Sequence, residues 1–141
     1  IDNAVHTCAG VQLRLECARI MAGQKKEEPA GRAKITKAYN LPCHYVLHTV
    51  GPVICGAVTK THREKLASCY RSCLELAAQS GLHSVAFCCI STGEFHFPNK
   101  PAAQVAIRTV REWQRKNPGK IEVIFNVFKN IDYEIYNCLL R

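Results

Sequence analysis

The stretch Ser91-Thr92-Gly93-Glu94-Phe95 has the residue types and spacing best suited to chemistry. It follows an apolar run and precedes a helix-forming segment. Gly93 permits positive φ and close backbone approach, while Ser91 and Thr92 add hydroxyl donors. Successive N–H groups in such a turn form a concave anion site, so a bound phosphate is one expectation. An ordinary strand-to-helix turn is the other. The nine cysteines (Cys8, Cys17, Cys43, Cys55, Cys69, Cys73, Cys88, Cys89 and Cys138) are odd in number and include no C-x-x-C. Most lie in apolar segments, which reads as small buried hydrophobes in a reducing compartment rather than a disulfide scaffold. Cys69 and Cys73 stand four apart on a helix, a spacing that core packing explains without a metal. His48, mid-strand, reads as a hydrogen-bonded structural residue, and His6 and His96 read as structural too.

A length of 141 residues fits one domain, and 48% apolar residues can build one core. The longest unbroken apolar run, Val85 to Ile90, is far short of the roughly 20 residues that cross a bilayer. No stretch has the layout of a signal peptide, so a soluble cytoplasmic protein with no membrane partner is expected. The formal charge of +8 favours anionic partners. Its densest cluster, Arg108 to Lys120, falls on a helix and its exit, which suits a solvated helix face. Nucleic-acid binding calls for exposed aromatics among the basic residues. Only Trp113, beside Arg111 and Arg115, is so placed, and it belongs to a core stripe, so nucleic acid is not an expected partner.

Several elements must position the loop. Ala4, Cys8, Val11, Leu15, Ala18 and Ala22 recur every three or four residues, predicting one amphipathic helix capped by Asp2 or Asn3 and ending near Gly23. Arg32 to Lys37 predicts an edge strand, and His44 to Val50 a strand stopped by Gly51-Pro52. Thr61-x-x-Glu64 predicts a capping box for a helix through Leu66, Cys69, Cys73 and Ala77. Ser84 to Ile90 predicts a strand buried on both faces. Asn99 is the predicted cap of a helix that buries Ala103, Ala106, Val110 and Trp113. Ile121 to Phe128 predicts a second buried strand, with a short helix starting at Asn130 or Asp132. This alternation implies parallel strands with helices on both sheet faces. Ligands in such sheets bind beyond the carboxyl ends of the strands, here after Val50, Ile90 and Val127.

Five ordered blocks carry a family resemblance: Asp2-Asn3-Ala4-Val5-His6, Gly31 to Thr36, Tyr39 to Pro42, Tyr45 to Pro52 and Ile90 to Gly93. They resemble the macrodomain pattern, in the branch that hydrolyses ADP-ribose from proteins. Val127-Phe128 with Asp132-Tyr133-Glu134-Ile135-Tyr136 resembles that family's C-terminal signature. The resemblance implies a three-layer α/β/α macrodomain with a central mixed sheet. Residues 1–141 would be the C-terminal two-thirds of one such domain, N-terminally incomplete because no strand precedes the first helix. The absent strands would carry an acidic residue for the adenine amine and an Asn at the catalytic ribose.

Carried over by position, Ser91, Thr92, Gly93, Glu94 and Phe95 would wrap the pyrophosphate and distal ribose of ADP-ribose. Phe128 would lie against the adenine and Val127 would line the pocket, with Asn3, Val50 and Gly51 completing it. Asp2 matches the acidic residue that lies near the scissile ribose. A carboxylate there can stabilise an oxocarbenium-like state while polarising water. Asn3 replaces the usual Gly, Glu94 an Ile or Val, and His96 a Gly. The run Ile90 to Pro98 therefore looks like the zinc-dependent bacterial branch. That branch's Cys and His zinc ligands lie upstream of Ile1, so none is assigned in this chain. Glu94 either faces the ribose and helps position water, as a second catalytic residue, or faces solvent.

The resemblance implies a hydrolase that removes mono-ADP-ribose from modified proteins, zinc-assisted, with such a protein as substrate and an ADP-ribosyltransferase as a possible partner. The alternative is a non-catalytic reader that binds ADP-ribose without cleaving it, since one fold hosts both.

Overall fold

Two separate strand pairs set the architecture of the computed structural model, which describes residues 1–141. Strands β1 (Ala33–Lys37) and β2 (Tyr45–Thr49) pair antiparallel, with Ile35 opposite Leu47. Strands β3 (Ser84–Phe87) and β4 (Glu122–Phe125) pair parallel, with Val85 opposite Val123. The alternation had implied parallel strands throughout. The connection from Lys37 to Tyr45 is too short for a crossover, so the first pair is antiparallel. The two pairs share no ladder, and together they make a mixed strand set. Helices α1 (Asp2–Ala9) and α2 (Val11–Gln24) precede β1. Helix α3 (Lys60–Gln79) links the pairs, α4 (Asn99–Lys116) crosses from β3 to β4, and α5 (Asn130–Leu140) closes the chain. None is long and apolar enough to cross a membrane.

The expected single first helix is broken at Gly10, whose φ of 89° only glycine adopts readily. The break also shifts which face is buried. Ala9 and Leu13 are buried, whereas Val11 and Leu15 of the expected stripe are 68% and 54% exposed. Glu16 fixes this orientation: its carboxylate accepts from Tyr39 Oη at 2.8 Å and from the Lys37 amide at 3.3 Å. The cap is Ile1, with no side-chain bond, so neither Asp2 nor Asn3 caps the helix.

Helices α3 and α4 bury the faces their periodicity predicts. Leu66, Cys69, Cys73 and Ala77 on α3 are buried, as are Ala103, Ala106, Val110 and Trp113 on α4. All but Cys69 form one core with Val85 and Phe87 of β3, and Tyr70 stacks edgewise on Phe87 at 5.0 Å. The capping box lies two residues earlier than expected. Thr59 Oγ1 accepts from the His62 amide and His62 Nδ1 from the Thr59 amide, both at 3.2 Å. An imidazole nitrogen does here what a glutamate was expected to do. Strands β3 and β4 are shorter than predicted and bury one face only. Val85 and Phe87 are buried, while Ala86 and Ile124 are exposed.

Candidate functional site

Gly51 and Ser91 bring two of the three expected loops together. A Cβ on Gly51 would fall 2.0 Å from Ser91 Oγ and 2.9 Å from Ile90 Cγ2, so only glycine fits there. Ser91 itself holds φ 66°, a left-handed conformation uncommon outside glycine. Its buried hydroxyl has no hydrogen-bond partner. The Ile54 amide donates to Phe95 O at 2.9 Å, a second tie between the loop after β2 and the loop after β3.

The Ser91 loop is built around its own backbone. Thr92 folds back, with its amide at 3.3 Å and its hydroxyl at 3.0 Å from Cys89 O. The Phe97 amide donates to Ser91 O and the His96 amide to Gly93 O, both at 2.9 Å. His96 takes φ 56°, and Phe97 is buried beneath as an anchor. The amides of Gly93, Glu94 and Phe95 donate to no acceptor in the protein. The positive φ lies at Ser91 and His96 on either side and not at Gly93, and the three consecutive N–H groups between them are available to an anion. The loop leads into α4, which begins at Asn99.

The third loop carries Val127 and Phe128. Phe128 is 98% exposed, a whole aromatic face open to solvent. Val127 lines a cavity of about 360 Å³ between α4, β4 and α5, with Phe125, Tyr133 and Tyr136 among its other walls. None of Ser91 to Phe95 lines this cavity. Asn99, the expected cap of α4, is instead its first residue, behind Pro98. Its Nδ2 donates to Asp132 Oδ1 at 2.6 Å, which ties the start of α4 to the start of α5.

Asp2 and Asn3 have only local partners. Asp2 is exposed in the first turn of α1, with Oδ1 3.7 Å from His6 Nε2, and Asn3 accepts from Thr7 Oγ1 through its carbonyl at 2.8 Å. No hydrogen bond or ion pair joins either residue to the Ser91 loop. Glu94 is exposed and has no ion-pair partner. No three His, Cys, Asp or Glu side chains gather into a metal-binding group.

His48 is the hydrogen-bonded histidine expected, with Nε2 2.9 Å from Thr36 Oγ1 and 4.0 Å from Cys17 Sγ. Burial pushes its pKa down and His6 adds to this, against the opposing pull of Asp2 and Glu16. The cysteines are less buried than expected: Cys69 and Cys73 are buried, but Cys8, Cys43, Cys55 and Cys138 are exposed, and all nine are free thiols. Burial pushes Cys73 up to about 12 and Cys89 up to about 11, so both are neutral and unreactive at physiological pH.

The bonds that Gly31 makes and the Asn99–Asp132 pair escaped the sequence reading. The Gly31 amide donates to Val50 O at 3.0 Å, and its carbonyl accepts from Ser68 at 2.9 Å and Ser72 at 2.7 Å. Ser68 and Ser72, four apart on one helix, were the available signal. For Asn99 and Asp132, the polar residue at each helix start was visible but its partner was not.

Residues 1–106 match the Macro domain family. The chain is 56% identical over 140 residues to a protein-ADP-ribose hydrolase of Treponema medium, covering 99% of this chain and 54% of that protein. It thus spans about half the length of the curated relatives it matches. A macrodomain of Oceanobacillus iheyensis with ADP superposes with a TM-score of 0.92 at 34% identity, over 99% of this chain and 73% of that one. A Trypanosoma brucei macrodomain in complex with ADP-ribose superposes with a TM-score of 0.87 at 37% identity, over 99% of this chain and 56% of that one.

Proposed function

The chain belongs to the Macro domain family, and from that membership we propose that it forms part of an ADP-ribose pocket in a protein-ADP-ribose hydrolase. The observation that carries the reading is the run of free amides at Gly93, Glu94 and Phe95, held open by Ser91 in its left-handed turn against Gly51. A diphosphate supplies the acceptors these donors lack. Ser91 to Phe95 take the pyrophosphate and distal ribose, and Val50 and Gly51 form the facing wall. Phe128 stacks on the adenine, its exposure being what a base-stacking platform needs, and Val127 backs it. The net charge of +8 favours capture of the dianion.

Asp2 and Asn3 border the scissile ribose in this reading. Water attacks the anomeric carbon, and the bond from that carbon to the protein side chain breaks. The leaving side chain takes a proton, and Asp2 accepts the one the water gives up. The carboxylate also stabilises the positive charge that develops on the sugar. Glu94 is the second carboxylate beside the ribose and helps position the water. The zinc that the resemblance implies has no donor set among residues 1–141, and no step is drawn through it. We read residues 1–141 as the C-terminal two-thirds of one macrodomain. The partner is a mono-ADP-ribosylated protein, made by an ADP-ribosyltransferase, in the cytoplasm.

The test incubates the full-length protein with a mono-ADP-ribosylated protein, with and without a zinc chelator, and counts released ADP-ribose by mass spectrometry. Release that Asp2→Ala abolishes is the expected result, and loss of release with the chelator would bring zinc into the mechanism. Tight ADP-ribose binding without release would make the protein a reader and overturn the roles of Asp2 and Glu94.

A further inference from the structure

Helices α4 and α5 both begin without a side-chain cap, behind Pro98 and Lys129. The polar residues in their first turns bond to each other instead. Asn99 Nδ2 donates to Asp132 Oδ1 at 2.6 Å, across 33 residues of sequence. Asp132 is 4% exposed, the one buried carboxylate in the chain. A carboxylate taken out of water is costly unless it is well partnered. This one lies in the first turn of α5, where the helix dipole favours it. Its charge also helps push up the thiol of Cys89, whose carbonyl accepts from Thr92 Oγ1 in the Ser91 loop.

The position of the bond along the chain gives it meaning. Asn99 stands four residues after Phe95, and Asp132 four residues after Phe128. Asn99 opens α4 and Asp132 lies in the first turn of α5, so each belongs to the helix that follows one ligand loop. We propose that the Asn99–Asp132 bond is a latch that fixes the distance between the phosphate cradle and the base platform. Both are positioning residues and touch no ligand. The proposal rests on the ADP-ribose reading above. A ligand that spans two loops gains from their fixed separation, because its second end then binds at high effective concentration. Breaking the latch removes that gain and leaves each half-site intact.

The test measures binding of ADP-ribose, adenosine and ribose 5-phosphate to the full-length protein by calorimetry and ligand-observed NMR. Asn99→Ala removes the donor. Asn99→Ala/Asp132→Ala removes both partners and leaves no orphaned charge, and Asp132→Asn keeps an acceptor oxygen. The expected result is about a tenfold or greater loss for ADP-ribose in the first two variants. Adenosine and ribose 5-phosphate should move by less than about twofold, and Asp132→Asn should restore most of the loss. If the wild-type protein does not bind ADP-ribose, the pocket reading fails and the latch fails with it. If the wild type binds and the variants weaken all three ligands alike, weaken none, or fail to fold, the pair is a structural bond and the latch is overturned.

Discussion

A Cβ on Gly51 would collide with Ser91 Oγ at 2.0 Å, and the strained Ser91 turn has little room to yield. Gly51→Ala should therefore destabilise the fold by about 1–3 kcal/mol, as overpacking does. It should also weaken ADP-ribose binding about tenfold or more, the worth of one charge-assisted hydrogen bond lost from the cradle. Thermal melts and calorimetry check the two parts; unchanged affinity would detach Gly51 from the pocket. Phe128 should behave in the opposite way. With 98% of it exposed, Phe128→Ala should leave stability within about 0.5 kcal/mol of the parent. If it stacks on adenine, the same change should cost about 1–3 kcal/mol of binding. His48 makes a pH prediction. Its folded pKa lies below the ordinary 6.5 because burial and His6 disfavour the charged form. The unfolded chain then binds more protons between the two values, so stability rises with pH across that window. Melting temperature should fall on acidification below about 6.5, and His48→Asn should flatten the dependence.

At the scale of elements, what the sequence revealed depended on whether one local period decided the outcome. The α4 stripe of Ala103, Ala106, Val110 and Trp113 was readable because a single uninterrupted helix buries one face against one core. The first helix was not, because Gly10 turns the chain and moves burial from the Val11–Leu15 stripe to Ala9 and Leu13. Burial of β3 on both faces was misread from continuous apolarity, which cannot tell a covered face from an open one. The site divides in the same way. Ser91 to Phe95 is contiguous, so its glycine, hydroxyls and place after a strand were visible together. The Asn99–Asp132 bond joins residues from different helices, and each looked like an ordinary cap. Cys73, buried with its thiol pushed up to about 12, illustrates what burial does within an element. Exposed Cys8, Cys43, Cys55 and Cys138 should alkylate in the native state, and Cys69 and Cys73 only on unfolding. Mass spectrometry after a short iodoacetamide pulse distinguishes them, and early labelling of Cys73 would contradict the packing of α3.

The whole molecule is unevenly secured. Its core cluster runs from Ile54 through Tyr136 and draws on α3, β3, α4 and α5, with Val123 and Phe125 of β4 packed against it. Helices α1 and α2 contribute only Ala9 and Leu13 as buried residues, and neither joins that cluster. They are held to β1 and the turn after it by the Glu16 carboxylate and by the Asn40 amide, which donates to Ala9 O at 3.4 Å. Few buried apolar contacts mean a low free energy of local opening. Native-state hydrogen exchange should therefore release the amides of α1 and α2 first, well before those of α3 and α4. The carboxylate proposed for catalysis, Asp2, stands at the start of this loosely held unit, whereas the phosphate cradle leads into the best-packed helix. A bound ADP-ribose that reaches Asp2 would join the two, and a ligand confined to the cradle would not. Adding ADP-ribose should thus slow exchange in α1 about as much as in the Ser91 loop, by the factor its occupancy sets. Adding inorganic pyrophosphate should slow the loop alone. Equal protection of α1 by both ligands, or by neither, would separate Asp2 from the ligand and leave only the cradle and base platform as a binding site.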